Sequence, residues 1–299
     1  MGVKLLVTGG AGFIGSHLVD KLIEQGHEVV VIDNLSTGEK ENLNPKAKFR
    51  KVDIRNLKKI KPAFKGVDHV FHLAAQARVP LSVKDPIETH TNNALGTLNV
   101  LVAARDNKVK KFIYSASSSA YGDQKNLPLK EDMTPRPKSP YGLQKLIGEE
   151  YCRLFYELYG LPTVSLRYFN VYGPRNPLEG AYALVIGIFL RQKKAGEPLT
   201  IDGDGEQTRD FTSVRDVVRA NILAAESNKV GRGEVINIGA GNNHSINKIA
   251  ELIGGKTINK PPRLGDPKHT LADNSKAKKF LGWEPEVSLE QGINQLLSL

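Results

Sequence analysis

Tyr141 and Lys145 stand four residues apart in SPYGLQKLIGEEY, where Ser139 can cap a helix and Pro140 can take its first position. That spacing sets a phenol and an ammonium on one helix face. The cation lowers a tyrosine pKa of about 10 towards neutrality, which makes the phenolate a base. Upstream, YSASSSAYG holds Ser115, Ser117, Ser118 and Ser119 at a predicted strand end, the edge where sheet ligands bind, and at least two of the four serve as turn formers. A second group lies near the amino terminus. Gly9, Gly12 and Gly15 in TGGAGFIGSH, three residues apart, permit a tight turn and a close backbone approach to a pyrophosphate, whose charge then lies on a helix amino terminus. Asp33 follows 18 residues after Gly15 (33 − 15), where a carboxylate accepts the hydroxyls of an adenosine ribose and repels a 2′-phosphate, so the pair reads as a site for NAD. An oxidised nicotinamide would add its positive charge to that of Lys145.

These groups need a scaffold, and the apolar pattern supplies one. Val3 to Thr8 and Glu28 to Asp33 are short β-branched runs separated by a helical pattern with Phe13, Ile14, Leu18, Leu22 and Ile23 on one face. Further runs at Val67 to Leu73 and Phe112 to Ala116 flank a helical stretch from about Pro86 to Asn107. Such alternation predicts a doubly wound parallel α/β sheet, buried on both faces and joined by right-handed crossovers. Past residue 170, glycine and proline punctuate shorter units, with helical patterns near 181–195, 214–227, 246–253 and 288–298 and strand-like runs at 161–169 and 234–238. The expected division is a cofactor domain over 1–169 plus about 210–240, and a smaller mixed α/β lobe over 170–209 and 241–299. Asp53 after FRKV sits at a strand end, either near an adenine or as a turn residue. His72, Leu73, Ala74 and Ala75 close another strand in small residues that suit a backbone lying against a cofactor, or a core.

Among the 299 residues no run of 18 apolar residues occurs and no cleavable leader is legible, so a membrane span or secretion is not expected and a cytoplasmic setting is. The single cysteine, Cys152, makes neither an internal disulfide nor a cysteine zinc cluster, and no metal is expected. Lys and Arg number 42 against 32 Asp and Glu, a formal +10 that fits a solvated lysine surface, attraction of small anions, or nucleic acid. Clusters such as Lys58, Lys59, Lys61 and Lys108, Lys110, Lys111 lack aromatic interleaving and any nucleic-acid motif, so no nucleic-acid partner is expected.

Taken in order, GGAGFIG, DNLSTG, HLAAQ, NNALGTLNVL, SASSSAYG, SPYGLQK, RYFNVYGP and GDGEQTRDF resemble the extended short-chain dehydrogenase/reductase family over roughly residues 3 to 283. Within it the chain is most similar to the sugar-nucleotide 4-epimerases, especially those acting on UDP-galactose and UDP-N-acetylglucosamine. The resemblance implies a Rossmann-like fold with NAD as cofactor. It matches Ser117, Tyr141 and Lys145 to the catalytic residues. It assigns the cofactor to Gly9, Gly12, Phe13, Ile14, Gly15, Asp33, Asn34, Ser36, Thr37, Gly38, Asp53, Ile54, Leu73, Ala74, Ala75, Gln76, Asn93, Ser115, Tyr168 and Phe169. It assigns a UDP-sugar to Ser117, Ser118, Tyr141, Asn170, Leu184, Val185, Thr200, Asp202, Arg209, Arg263, Asp266 and Thr270. From the residues alone, Arg209 and Arg263 are guanidinium forks for phosphates or ordinary surface ion pairs.

What the resemblance implies for chemistry is transient oxidation at carbon 4 of a UDP-sugar. Relatives that eliminate water carry an Asp-Glu pair directly after the catalytic threonine, and decarboxylating relatives carry a Glu there; here those positions are Ser118 and Ser119, which favours epimerisation over a 4,6-dehydratase. Thr270 aligns with a position that is Tyr in epimerases restricted to unacetylated sugars and Ser or Cys in those accepting N-acetyl sugars, so both kinds are expected. A non-catalytic NAD-sensing protein is the alternative of another class, opposed by the retained Ser117, Tyr141 and Lys145. The wide apolar arcs of the Pro86–Asn107 and Tyr141–Tyr159 helices suit either a homodimer, as in relatives, or deeper burial in one subunit.

Overall fold

A computed structural model describes residues 2–177, 184–261 and 268–299. The first half runs β1 (Lys4–Thr8), α1 (Phe13–Glu24), β2 (Glu28–Asp33), β3 (Lys48–Lys51), α2 (Leu57–Ile60), β4 (His69–His72), α3 (Val79–Lys84), α4 (Pro86–His90), α5 (Gly96–Asp106) and β5 (Lys111–Ser117). The second half runs α6 (Pro140–Tyr159), β6 (Thr163–Tyr168), β7 (Val171–Tyr172), α7 (Val185–Lys194), β8 (Leu199–Asp202), β9 (Thr208–Asp210), β10 (Thr212–Ser213), α8 (Val214–Glu226), β11 (Arg232–Ile238), β12 (Asn243–Ser245), α9 (Ile246–Ile253), β13 (Thr257–Lys260), α10 (Ser275–Leu281) and α11 (Leu289–Leu297).

Seven strands form one sheet in the order β11-β6-β5-β4-β1-β2-β3, and every pairing is parallel. Its strands read as unbroken apolar runs because both faces are covered. Leu5, Val7 and Ile113 pack towards α1, α8 and α10, whereas Leu6, Phe112 and Tyr114 pack towards α5 and α6. The strand order reverses between β1 and β4, so the crevice for a ligand lies beyond their carboxyl ends.

The expected helix from Pro86 to Asn107 is interrupted. Thr91–Leu95 is a π-helical turn between α4 and α5, and it buries Asn92 and Asn93. The carboxy-terminal stretch also departs from the expected 241–299 lobe. Ala277, Leu281 and Trp283 pack into the core of the large sheet, while α7, α9 and α11 enclose a separate cluster around Phe189, Ile249 and Ile293. The return is fastened at α8, where the Trp283 indole donates to the Asp216 carbonyl at 3.0 Å and the Asp216 carboxylate accepts the Glu286 and Val287 N–H groups at 3.0 and 3.1 Å. Helix α10 was not legible because its seven residues include three lysines and its apolar face is short. Among the described residues no helix is long and apolar enough to cross a membrane.

Candidate active site

The β1–α1 turn is built from close backbone approaches. Gly9 adopts φ +73° and donates to the Ile32 carbonyl at 2.8 Å, and Gly12 donates back to Gly9 at 3.1 Å. A Cβ on Gly15 would lie 2.1 Å from the Gly9 oxygen, and one on Gly9 would lie 2.7 Å from the Ala74 nitrogen. Only hydrogen fits at either position. Asp33 ends β2, and its carboxylate accepts Ala11 N–H at 3.0 Å and Leu35 N–H at 2.8 Å. These bonds hold the carboxylate against the mouth of the glycine turn.

Behind the next wall segment runs a buried polar chain. The Thr97 hydroxyl donates to the Asn93 carbonyl at 2.6 Å and therefore accepts His72 Nε2–H at 2.9 Å. That leaves His72 Nδ1 to accept the Thr8 hydroxyl at 2.7 Å, while Thr8 Oγ1 receives the N–H groups of Leu73 and Ala74, each at 3.2 Å. Burial, followed by the charge of Lys145, holds His72 down to about 3, so it is a neutral support. Asn93 accepts Gln76 N–H at 2.8 Å and donates to the Gln76 carbonyl at 3.1 Å and to Gln144 at 2.8 Å. The strand-end backbone is thereby tied to the residue preceding Lys145.

Helix α6 starts as anticipated. The Ser139 hydroxyl accepts Gly142 N–H at 3.1 Å, Pro140 occupies the first turn, and Gly160 closes the helix in the left-handed region at φ +67°. A further partner was not anticipated: Ser82 of α3 takes the Tyr141 N–H at 3.0 Å. Lys145 is buried, with its Nζ donating to the Ser115 carbonyl at 2.7 Å and lying 5.1 Å from the Tyr114 ring centre. Burial lowers it to about 8. Ser117 caps the turn after β5 by accepting Ser119 N–H at 3.2 Å and donates to the Ser119 hydroxyl at 3.1 Å. The Tyr141 phenol corrects the expectation of a lowered pKa. Burial pushes it above its ordinary value, and the Ser117 hydroxyl and the Arg78 charge only partly oppose this. In the protein by itself the loss of water outweighs the neighbouring dipoles and charges.

One cavity of about 2120 Å³ joins these groups. Its wall includes Gly9, Gly12, Phe13, Ile14, Gly15, Asp33, Asn34, Ser36, Thr37, Ile54, Leu73, Ala74, Ala75, Gln76, Ser115, Tyr141, Lys145 and Tyr168 of the anticipated cofactor residues. Ser117, Ser118, Asn170, Leu184, Val185, Thr200, Asp202, Arg209 and Thr270 line it on the other side. Four anticipated residues are not on this wall. Asp53 is turned to Arg55, whose Nε and second terminal nitrogen reach it at 3.0 and 2.8 Å, and to Asn34 at 3.0 Å; these bonds hold its carboxyl down to about 2. Phe169 packs with Tyr121, Leu129 and Ala272, because Tyr168 takes the cavity side and donates its hydroxyl to Asn221 at 2.9 Å. Asn93 acts from behind through Gln76. Gly38 lies against Ala11, where a Cβ would stand 2.9 Å from the Ala11 carbonyl carbon. Arg263 and Asp266 lie outside the described residues.

The lobe side is held by Asp210, which the sequence reading passed over. Its buried carboxylate accepts the N–H groups of Ala240, Gly241 and Ala272 at 2.6, 3.0 and 3.0 Å, and burial raises it to about 6. Asn170, at φ +27°, donates to the Asp210 carbonyl at 3.2 Å, and the Thr270 hydroxyl accepts Asp210 N–H at 3.4 Å. Arg209 is anchored by the Thr208 and Lys268 carbonyls at 2.9 and 3.2 Å. Arg78, on the cavity wall, was also missed. Its only signal was a basic residue two positions beyond HLAAQ.

The sequence profile described as the NAD dependent epimerase/dehydratase family matches residues 5–239. The chain is 40% identical to a UDP-glucose 4-epimerase of Mycolicibacterium smegmatis, over 97% of this chain and 96% of that protein. Its structure superposes on a Thermotoga maritima UDP-glucose 4-epimerase solved with UDP-glucose, with TM-score 0.94 and 44% identity, covering 99% of this chain and 98% of that one. A UDP-N-acetylglucosamine 4-epimerase of Methanobrevibacter ruminantium, solved with UDP-N-acetylmuramic acid, gives TM-score 0.93 and 40% identity over 100% of this chain and 99% of that one.

Proposed function

The chain belongs to the NAD dependent epimerase/dehydratase family, and from that premise we propose that it is a UDP-sugar 4-epimerase, an isomerase that interconverts UDP-glucose with UDP-galactose and UDP-GlcNAc with UDP-GalNAc. The carrying observation is the end of β5. Ser117 is followed directly by Ser118 and Ser119, all three on the cavity wall with Tyr141, so neither position after the serine carries a carboxylate for an elimination step.

NAD suits the residues present. The glycine turn offers a cradle that a Cβ at Gly9 or Gly15 would fill, and Asp33 is held at its edge by two backbone N–H groups. When bound, NAD supplies a two-electron acceptor able to take and return the hydrogen of sugar carbon 4. Tyr141 takes the hydroxyl proton from that carbon while Ser117 hydrogen-bonds the same oxygen, and the proton returns from Tyr141 once the 4-ketose has turned over. Lys145, one helical turn after Tyr141, is held on the cavity wall by donating from Nζ to the Ser115 carbonyl. Burial holds the Tyr141 phenol above its ordinary value, and an oxidised nicotinamide, when bound, would add positive charge that favours the phenolate. The cavity volume of 2120 Å³ exceeds the roughly 300–1,000 Å³ of a single-ligand pocket, which supports two ligands and room for a turning sugar.

Breadth towards N-acetyl sugars rests on Thr270, whose short side chain spends its hydroxyl on the Asp210 N–H. The test is turnover of both pairs with NAD present and not consumed. Tyr141→Phe is expected to lower turnover by about 10²- to 10⁴-fold with NAD retained. Unchanged turnover in that variant sinks the proton-transfer role, and absence of UDP-GlcNAc turnover sinks the breadth. A homodimer is proposed on the exposed apolar side chains of Ile87, Leu95, Leu143 and Leu158 along α4–α6.

A further inference from the structure

Helix α6 crosses β5 closely at Gly148. A Cβ there would stand 2.2 Å from the Tyr114 hydroxyl oxygen and 2.4 Å from the ring carbon that bears it, so the bare backbone leaves a notch into which the Tyr114 ring fits. The ring is buried and stacks on His72, its neighbour across the β4–β5 pairing, with ring centres 5.7 Å apart and planes at 29°. Its hydroxyl donates to the Lys145 carbonyl at 3.5 Å, and the Lys145 Nζ lies over the ring, 5.1 Å from its centre. The Lys145 ammonium is therefore held between two fixed points, the Ser115 carbonyl and the ring of the residue before it.

No carboxylate is free to pair with that ammonium. Glu149, one turn further along α6, favours the Lys145 cation by its charge but gives both carboxylate oxygens to Arg167 of β6, at 2.9 and 2.7 Å. Cys152 on the same helix stays a thiol because burial pushes it up. From β4, His72 is neutral, held down to about 3, and burial holds the Tyr141 and Tyr114 phenols above their ordinary value. Among the described residues Lys145 donates to one acceptor, an uncharged carbonyl. In such surroundings the negative face of an aromatic ring becomes an electrostatic partner for the cation, and its attraction is strongest where water is excluded.

We propose that Tyr114 is a positioning residue of the reaction: its ring, seated in the Gly148 notch, keeps Lys145 cationic and fixed on the cavity wall one helical turn after Tyr141. This rests on the roles given to Tyr141 and Lys145 above. The Tyr114 hydroxyl is dispensable for it, because the electron-rich face of the ring supplies the attraction. Burial already brings Lys145 down to about 8 with the ring in place. Loss of the ring's attraction lowers it further, so the uncharged share of Lys145 grows as the pH rises from 6 to 8, where Tyr141 has to give up and regain its proton.

The experiment follows the Lys145 titration by NMR in the full-length, NAD-free protein labelled with 13C at the lysine ε-carbons, the signal being assigned by its loss in Lys145→Met. Position 114 is replaced by phenylalanine and then by 4-fluoro-, 3,5-difluoro- and 3,4,5-trifluorophenylalanine, which keep the ring's shape while draining negative charge from its face. Tyr114→Phe is expected to keep the parent midpoint and each added fluorine to lower it, while Tyr114→Leu, which removes the ring, lowers it by roughly 0.5–1.5 pH units. In NAD-loaded protein turning over UDP-glucose, kcat of the trifluoro variant should fall more at pH 8 than at pH 6, with KM little changed. A midpoint that stays put along the fluorinated series overturns the proposal, as does a Tyr114→Phe loss as large as that of Tyr114→Leu, or a kcat loss equal at both pH values; a purely structural role for Tyr114 predicts those results. The fluorinated series preserves the packing, so it decides the question even where Tyr114→Leu fails to fold. Because the titration uses no substrate, its outcome is separate from that of Tyr141→Phe, which tests the proton-transfer reading itself.

Discussion

Replacing Lys145 with Met should stabilise the NAD-free protein at neutral pH while disabling it. Lys145 is 3% exposed, and burial lowers its pKa from 10.5 to about 8. That difference makes the charged form costly by about 3 kcal/mol relative to the same side chain in water. Between about 8 and 10.5 the unfolded chain binds the proton more tightly than the folded one, so the stability of the parent rises with pH across that window; the cost is fully present below 8 and gone above 10.5. Methionine keeps the length and removes the charge. It forfeits the hydrogen bond to Ser115, worth about 1 kcal/mol, and the contact with the Tyr114 ring, worth roughly 0.5–1 kcal/mol. The variant is therefore expected to be about 1–2 kcal/mol more stable at pH 7, with an advantage that vanishes or reverses by about pH 10, while turnover falls by about 10²- to 10⁴-fold. Urea unfolding of NAD-stripped parent and variant at several pH values, with turnover of loaded protein alongside, measures both. A variant less stable than the parent by the same margin at every pH would refute the reasoning, because Lys145 would then stabilise the fold by contacts that outweigh its desolvation.

Two further outcomes follow from close contacts in the structure. Gly15→Ala places a Cβ against the Gly9 carbonyl, so the turn must open; NAD affinity, read by fluorescence titration, should drop at least 100-fold, and an unchanged affinity would contradict the cradle. Glu149 and Arg167 form a two-pronged ion pair at 2.9 and 2.7 Å with side chains only 2% and 3% exposed, and Arg167 lies 4.4 Å from the Tyr121 ring centre. Glu149→Gln leaves that guanidinium charge buried and should cost about 3–5 kcal/mol in a denaturant midpoint experiment, and a loss below about 1 kcal/mol would show the pair to be dispensable.

Much of the site was legible because it is local. Glycines at 9, 12 and 15 restrict a turn whatever surrounds it, Ser139 and Pro140 start a helix through their own side chain and ring, and an i, i+4 spacing sets Tyr141 and Lys145 on one face. Residues at the junction of two environments were not legible. Tyr168 and Phe169 are adjacent aromatics at the end of β6, and the choice of which faces the cavity was made by Asn221 on α8 and by the pocket of Tyr121, Leu129 and Ala272. Asp53 and Ile54 present the same case, with Arg55 and Asn34 holding the carboxylate while Ile54 meets the cavity.

Short-range order thus settled which residues could do chemistry: backbone dihedral limits, caps and helical period act over a few residues and are written in the chain. The tertiary structure decided the state in which those residues work. Tyr141 has its pKa raised, Lys145 its pKa lowered, and Asp210 gains its position through segments distant in sequence. The reason is physical: desolvation and buried carboxylate partners depend on what the fold removes from water, and no spacing in a single stretch of sequence encodes that.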